Sequence, residues 1–136
     1  MNALTPVLAF FDTTVPLYLL GSDAAKANRA EDLLAGGGTI SVQVLNEFVA
    51  VARRKHRLPW PALQSALGVL RQVCRVEPLT VAAHDRALAL AQRHGIPIYD
   101  ATIAASALLA GCSILYSEDF QHGQVIDRLT IVNPFA

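Results

Sequence analysis

Apolar positions along this chain fall into two alternating patterns. Short runs of strand length are "VLAFF" (Val7 to Phe11), "TIS", "RVEPL", "SILYS" and the closing "LTIVNPF". Between them lie longer stretches whose apolar residues recur every three or four positions, the period of a helix with one buried face. In "VQVLNEFVAVARRKHR", Val44, Phe48, Val51 and Ala52 share a face flanked by Leu45 and Val49. Punctuation supports the boundaries. A helix is predicted from near Ser22 to the stop at Gly36 to Gly38, and another opens between Pro59 and Pro61 and runs to about Cys74. A third has Thr80 as its cap and Gly95 as its stop. "TTVPLYLLGS" gives a helical turn with Pro16 in its first turn, where proline is tolerated. Strands alternating with helices specify right-handed βαβ units and a mostly parallel sheet. The expected fold is a single three-layer α/β/α domain spanning residues 1–136.

Composition narrows this picture. With 53% hydrophobic and 16% charged residues, the chain is neither a disordered tail nor a polyelectrolyte. A formal net charge of zero leaves nucleic-acid binding to local patches. Cys74 and Cys112 form no C-x-x-C and sit in apolar surroundings, as expected of inert thiols in the cytoplasm. No basic residue precedes the first apolar stretch, so no signal peptide is expected. Ala101 to Ser117 carries no charge and approaches membrane-spanning length, but Gly111 breaks it and acids flank it. A buried helix followed by a buried strand explains it better, and no membrane partner is expected.

The acids carry the chemistry. Asp12 closes the first strand, Asp119 follows "SILYS", and Asp100 stands where "PIYDATIAASALLAG" enters a helix. Ligand sites of open α/β sheets lie outside the carboxyl ends of the strands, so all three acids should face one crevice. Each alone could simply cap a helix. Glu47 lies within a helix on the flank of its apolar stripe, beside Gln43 and Arg54, and alone would read as a surface residue. Four carboxylates at one rim repel one another unless a cation neutralises them. Carboxylates with no His or Cys cluster suit hard cations, Mg²⁺ first and Mn²⁺ next, which support phosphodiester hydrolysis. No G-x-S-x-G supports acyl chemistry. A receiver domain would need adjacent early acids and a late lysine, but the only lysines are Lys26 and Lys55. A haloacid-dehalogenase-like phosphatase would show D-x-D where this chain has "DTT".

Four segments, "FFDTTVPLYLL", "ISVQVLNEFVAVARRK", "IYDATIAASALLAGCSILYSEDFQHGQ" and "LTIVNPF", together resemble the PIN domain, in particular the short VapC-like ribonucleases of toxin–antitoxin systems. They span the chain in the family's order. The resemblance implies a PIN-like fold and a metal-dependent endoribonuclease with an RNA substrate. It makes Asp12, Glu47, Asp100 and Asp119 the Mg²⁺- or Mn²⁺-binding acids, and Thr13 and Ser117 polar supports. It also implies a cognate antitoxin that presents Arg to the acidic pocket, and a homodimer, for which Val15, Leu17, Tyr18 and Leu19 are the candidate interface. Two positions depart from the pattern. Thr14 stands where the family often has Asn, and "FQHG" where many members carry a further acid. These departures motivate the alternative of a non-catalytic PIN-like module that binds RNA or protein.

"ARRKHR" (Ala52 to Arg57) is the one dense basic cluster. It either complements the dipole of a helix C-terminus or contacts phosphate, with Arg54 nearest the acids. His122 is a second candidate for phosphate or leaving-group contact. Trp60 is expected to be a packing anchor, and "GGG" a helix stop rather than a phosphate loop.

Overall fold

The computed structural model describes residues 8–136. Its strands are β1 (Ala9–Phe11), β2 (Gly38–Ser41), β3 (Cys74–Glu77), β4 (Ile114–Tyr116), β5 (Val125–Ile126) and β6 (Leu129–Val132). Its helices are α1 (Thr14–Leu17), α2 (Ala24–Ala35), α3 (Val42–Arg54), α4 (Trp60–Val73), α5 (Val81–His94) and α6 (Ile98–Leu109), and a 3-10 turn at Tyr18–Leu20 continues α1. Val7, placed in the first strand by its pattern, lies outside the described residues.

The strands form one sheet in the order β3-β2-β1-β4-β6-β5, parallel throughout except for the β5–β6 pair. Adjacent strand residues point to opposite faces. Phe10 and Phe11 are both fully buried, so both faces of the sheet are covered, as a parallel sheet requires. Helix α6 packs against β2, β4 and β6, with α5 packed on it in turn. Every residue from Ala101 to Ala107 is buried. That accounts for the uncharged stretch, and no helix among the described residues is long and apolar enough to cross a membrane.

Local chemistry sets the helix ends. Ser41 and Thr80 cap α3 and α5 by accepting Val44 and Ala83 N–H, and Asp23 caps α2 by accepting Lys26 N–H. Gly95 ends α5 in the left-handed region, at φ 64°. Gly38 answers a different need. A Cβ there would lie 2.4 Å from a ring carbon of Phe11, itself buried and stacked on Tyr116. Gly38→Ala should therefore cost about 1–3 kcal/mol, lowering the melting temperature by several degrees in a thermal scan.

The structure departs from the pattern in four places. "RVEPL" is strand only to Glu77 and begins a residue earlier, at Cys74. Strand β5 has two residues, too few to show a period. It turns back into β6 through Asp127, whose φ of 54° an Asp tolerates and whose carboxylate pairs with Arg86 and Arg93 of α5. Val15, an expected interface residue, is fully buried in the core because it faces inward from the short α1. Trp60 is 56% exposed and lies under the Arg53 guanidinium at 4.2 Å, a cation–π lid on the end of α3 rather than a core anchor.

Candidate functional site

Strands β1 and β4 are neighbours, and the sheet grows away from them in opposite directions. This is the topological switch point, where the carboxyl ends of parallel strands leave a crevice. Asp12 leaves β1 there, its N–H donating to the Tyr116 carbonyl at 3.0 Å. Its side chain is 3% exposed and accepts two bonds, from Thr13 N–H at 2.7 Å and from the Ser117 hydroxyl at 2.5 Å.

From Asp12 a hydrogen-bond network runs in two directions. The Ser117 hydroxyl accepts the Asp119 N–H at 3.0 Å, which fixes the backbone that carries Asp119. The Thr13 hydroxyl donates to Glu47 at 3.0 Å, and the Gln43 amide, one turn earlier on α3, donates to the other Glu47 oxygen at 2.7 Å. The same amide nitrogen donates to the Tyr99 carbonyl at 3.0 Å, next to Asp100. Four elements that are remote in sequence are thus tied around one set of acids.

The acids also feel one another's charge. Burial pushes the Asp12 carboxyl up to about 7; the Ser117 and Thr13 hydrogen bonds oppose this, and the nearby Asp119 and Glu47 carboxylates add to it. Asp100 is likewise raised, first by burial and then by Asp119 and Glu47. None of the four is ion-paired with a Lys, Arg or His among the described residues. Helix capping does not account for Asp100, which lies in the first turn of α6, whose cap position is Pro97.

Among the described residues, no three His, Cys, Asp or Glu side chains form a ready-made metal cage. An all-oxygen set that is spread out and un-neutralised fits a hard cation held by one or two carboxylates and several waters, the habit of Mg²⁺. It does not fit a soft ion that needs converging nitrogen or sulfur ligands. Cys74 and Cys112 are free and buried, and burial raises both thiols.

Glu118 turns away from this set. Its carboxylate accepts from Lys26 Nζ at 2.8 Å and from the Tyr18 hydroxyl, and Lys26 also lies over the Tyr18 and Phe135 rings. No local pattern marks this clamp, because Glu118 stands 100 and 92 residues from Tyr18 and Lys26 and only tertiary packing joins them. The Thr14 hydroxyl, at one of the two positions that depart from the pattern the sequence resembles, accepts the Glu118 N–H at 3.5 Å. His122 is exposed, and its Nδ1 accepts the Asn133 N–H at 3.0 Å. Arg54 is exposed in the last turn of α3; the side chains of the basic cluster that line a cleft, with Thr14, Tyr18 and Glu118, are Lys55 and His56.

The family model of the PIN domain matches residues 9–126. The chain belongs to the PIN domain family. Solved structures share its fold. VapC20 from Mycobacterium tuberculosis, described as a sarcin–ricin-loop-cleaving toxin, aligns at 27% identity with a TM-score of 0.67, over 82% of this chain and 89% of that one. A toxin–antitoxin complex from Klebsiella pneumoniae aligns at 24% identity with a TM-score of 0.70, over 93% and 97%. VapBC2 from Rickettsia felis, bound to a promoter DNA fragment, aligns at 19% identity with a TM-score of 0.65, over 91% and 96%. No curated protein sequence matches significantly. In this PIN domain the two segments that end in Asp12 and Asp119 are adjacent parallel strands, held in register over Ala9↔Ile114, Phe10↔Leu115 and Phe11↔Tyr116.

Proposed function

We propose that this PIN domain is a metal-dependent endoribonuclease, the toxin of a type II toxin–antitoxin pair that acts in the cytoplasm. The observation that carries this reading is the hydrogen-bond network that ties the ends of β1 and β4, helix α3 and the start of α6 together beside Asp12, Glu47, Asp100 and Asp119, none of which is ion-paired among the described residues. Asp12, Asp100, Asp119 and Glu47 would hold Mg²⁺, or Mn²⁺ in its place. The bound ion supplies positive charge for hydrolysis of a phosphodiester by water. Ser117 and Thr13 keep the Asp12 carboxylate aimed, and Gln43 and Thr13 do the same for Glu47. Support for RNA as the substrate comes from VapC20, described as cleaving the sarcin–ricin loop. Support for an antitoxin partner comes from the Klebsiella and Rickettsia complexes. An un-neutralised acidic crevice attracts an Arg from such a partner by the same electrostatics that attract a metal.

The test is cleavage of an end-labelled structured RNA by metal-stripped, antitoxin-free protein, with Mg²⁺ or Mn²⁺ added back. Cutting that returns with metal supports the nuclease. Bound but uncut RNA, with DNA also left intact, would move the reading to a non-catalytic binding module. A homodimer is part of the proposal. With Val15 buried, its candidate face is reduced to Leu17, Tyr18 and the exposed Leu19. Sedimentation at micromolar concentration should give twice the mass of the 14.6 kDa chain, and a monomer there would remove the dimer from this account.

A further inference from the structure

Two clefts of opposite character flank the acids, and one helix joins them. Gln43, Glu47, Val51 and Lys55 recur every four residues along α3 and its C-terminal cap, each about 6 Å further along the axis. Gln43 and Glu47 line a cleft of about 480 Å³ with Asn46, Leu79 and Tyr99. A contiguous cleft of about 340 Å³ shares Gln43, Leu79 and Tyr99 and adds His84. Val51 and Lys55 line a cleft of about 200 Å³ on the other side, with His56, Tyr18, Thr14 and Glu118. The first cleft includes Glu47 itself; the second meets the acids through Thr14 and Glu118, chain neighbours of Thr13 and Asp119, and through Val51, one turn along α3 from Glu47.

The chemistry of the two ends differs. The Tyr99 end has no Lys or Arg in its lining, but it offers an aromatic ring that is 73% exposed. The backbone carrying that ring is pinned, because the Tyr99 carbonyl accepts from Gln43. The lining around it supplies amide and imidazole hydrogen-bonding groups from Asn46 and His84. The Lys55 end has Lys55 and His56 in the cleft and Arg53, Arg54 and Arg57 next to them in sequence. Glu118 in that lining already has its charge met by Lys26. Exposed aromatics beside polar groups stack unpaired bases, whereas cations take phosphates without reading sequence.

We infer that the α3 groove is a track for single-stranded RNA, with a nucleobase stacked on Tyr99 on one side of the acids and a backbone phosphate on Lys55 and His56 on the other. Such a track sets which phosphate reaches the acids and gives the strand a direction. The inference deepens the nuclease reading and takes RNA as its ligand from it.

Binding separates the two ideas. The probe is a fluorescein-labelled unstructured RNA dodecamer, followed by anisotropy against the Asp100→Asn protein in Mg²⁺ across a salt series. In that background Tyr99→Ala should weaken binding roughly 5- to 100-fold with the salt slope unchanged, and Tyr99→Phe should restore it. Lys55→Gln should weaken binding several-fold and reduce the slope of log K against log salt by about one. Unchanged affinity in Tyr99→Ala overturns the base subsite, as does a change only in sedimentation, which would make Tyr99 a contact between copies of this chain. An unchanged slope in Lys55→Gln overturns the phosphate subsite, and a protein that binds no RNA overturns both. RNA bound with these signatures, but left uncut by the parent protein with metal, keeps the track and removes the nuclease.

Discussion

Asn in place of Asp100 or Asp119 is expected to lower metal-dependent RNA cleavage roughly 10³-fold or more while leaving the fold intact. A metal's stabilisation of developing phosphate charge is worth several kcal/mol, and about 1.4 kcal/mol is tenfold in rate, so loss of one ligand reaches this size. Neither side chain is a structural keystone. Asp100 has no capping role at the start of α6, and the Asp119 side chain is exposed; it is the Asp119 backbone N–H that meets Ser117. Both variants should therefore melt no lower than the parent in metal-free buffer. Parallel loss of cleavage and of melting temperature would instead place these acids in the fold. Equal cutting by parent and variant would point to a contaminating nuclease.

The second large effect is on the linkage between pH, metal and stability, and Asp12 dominates it. Its carboxyl is raised from 3.8 to about 7 by burial and by the neighbouring acids. The folded chain therefore holds a proton that the unfolded chain has released between about pH 4 and pH 7. A raised pKa contributes stability that is fully present below the unfolded value and is lost as pH rises through the folded one. Metal-free protein should accordingly melt several degrees lower at pH 7.5 than at pH 5. Asp100, raised in the same direction, adds to the slope. Mg²⁺ requires the carboxylates ionised, so its stabilising effect should grow over the same window, with protons released on binding. Asp12→Asn should raise the melting temperature of metal-free protein at pH 7.5 and flatten its pH dependence, since the amide keeps a hydrogen bond with Ser117 and has no charge to bury. Differential scanning fluorimetry at several pH values, with and without Mg²⁺, measures all of this. A pH-independent metal-free melting temperature would refute the coupling.

Much of this was written in the order of the residues. Runs such as "VLAFF" and "SILYS" mark strands because they are short and apolar on both faces, and the periodic stretch around Phe48 marks a helix because only one of its faces is buried. The resemblance to the PIN domain came from four motif-bearing segments in order, and the family match over residues 9–126 covers most of them. Features made by distant pairings were not legible. Strand β5 is too short to carry a period, and Asp127 adopts its turn in contact with two arginines of α5. Val15 looked free because nothing in its own neighbourhood shows that α1 turns it into the core. Trp60, between two prolines, reads as a packing anchor, yet its packing is at the surface, under Arg53. The basic cluster was visible as charge, but that Lys55 and His56, and not Arg54, line the cleft with Thr14 and Glu118 depends on where the end of α3 points.

Periodicity, caps and strand runs thus determined the elements and their alternation, because these are local properties of a few adjacent residues. The position of each acid relative to its own strand or helix was local in the same way. What only the tertiary structure decided was which elements became neighbours. Placing β1 beside β4 lets Ser117 reach Asp12, packing α1 on α3 lets Thr13 reach Glu47, and the Gln43 bond to the Tyr99 carbonyl ties α3 to the start of α6. The burial and mutual repulsion that raise Asp12 arise from that packing, since no acid lies close enough in sequence to impose them.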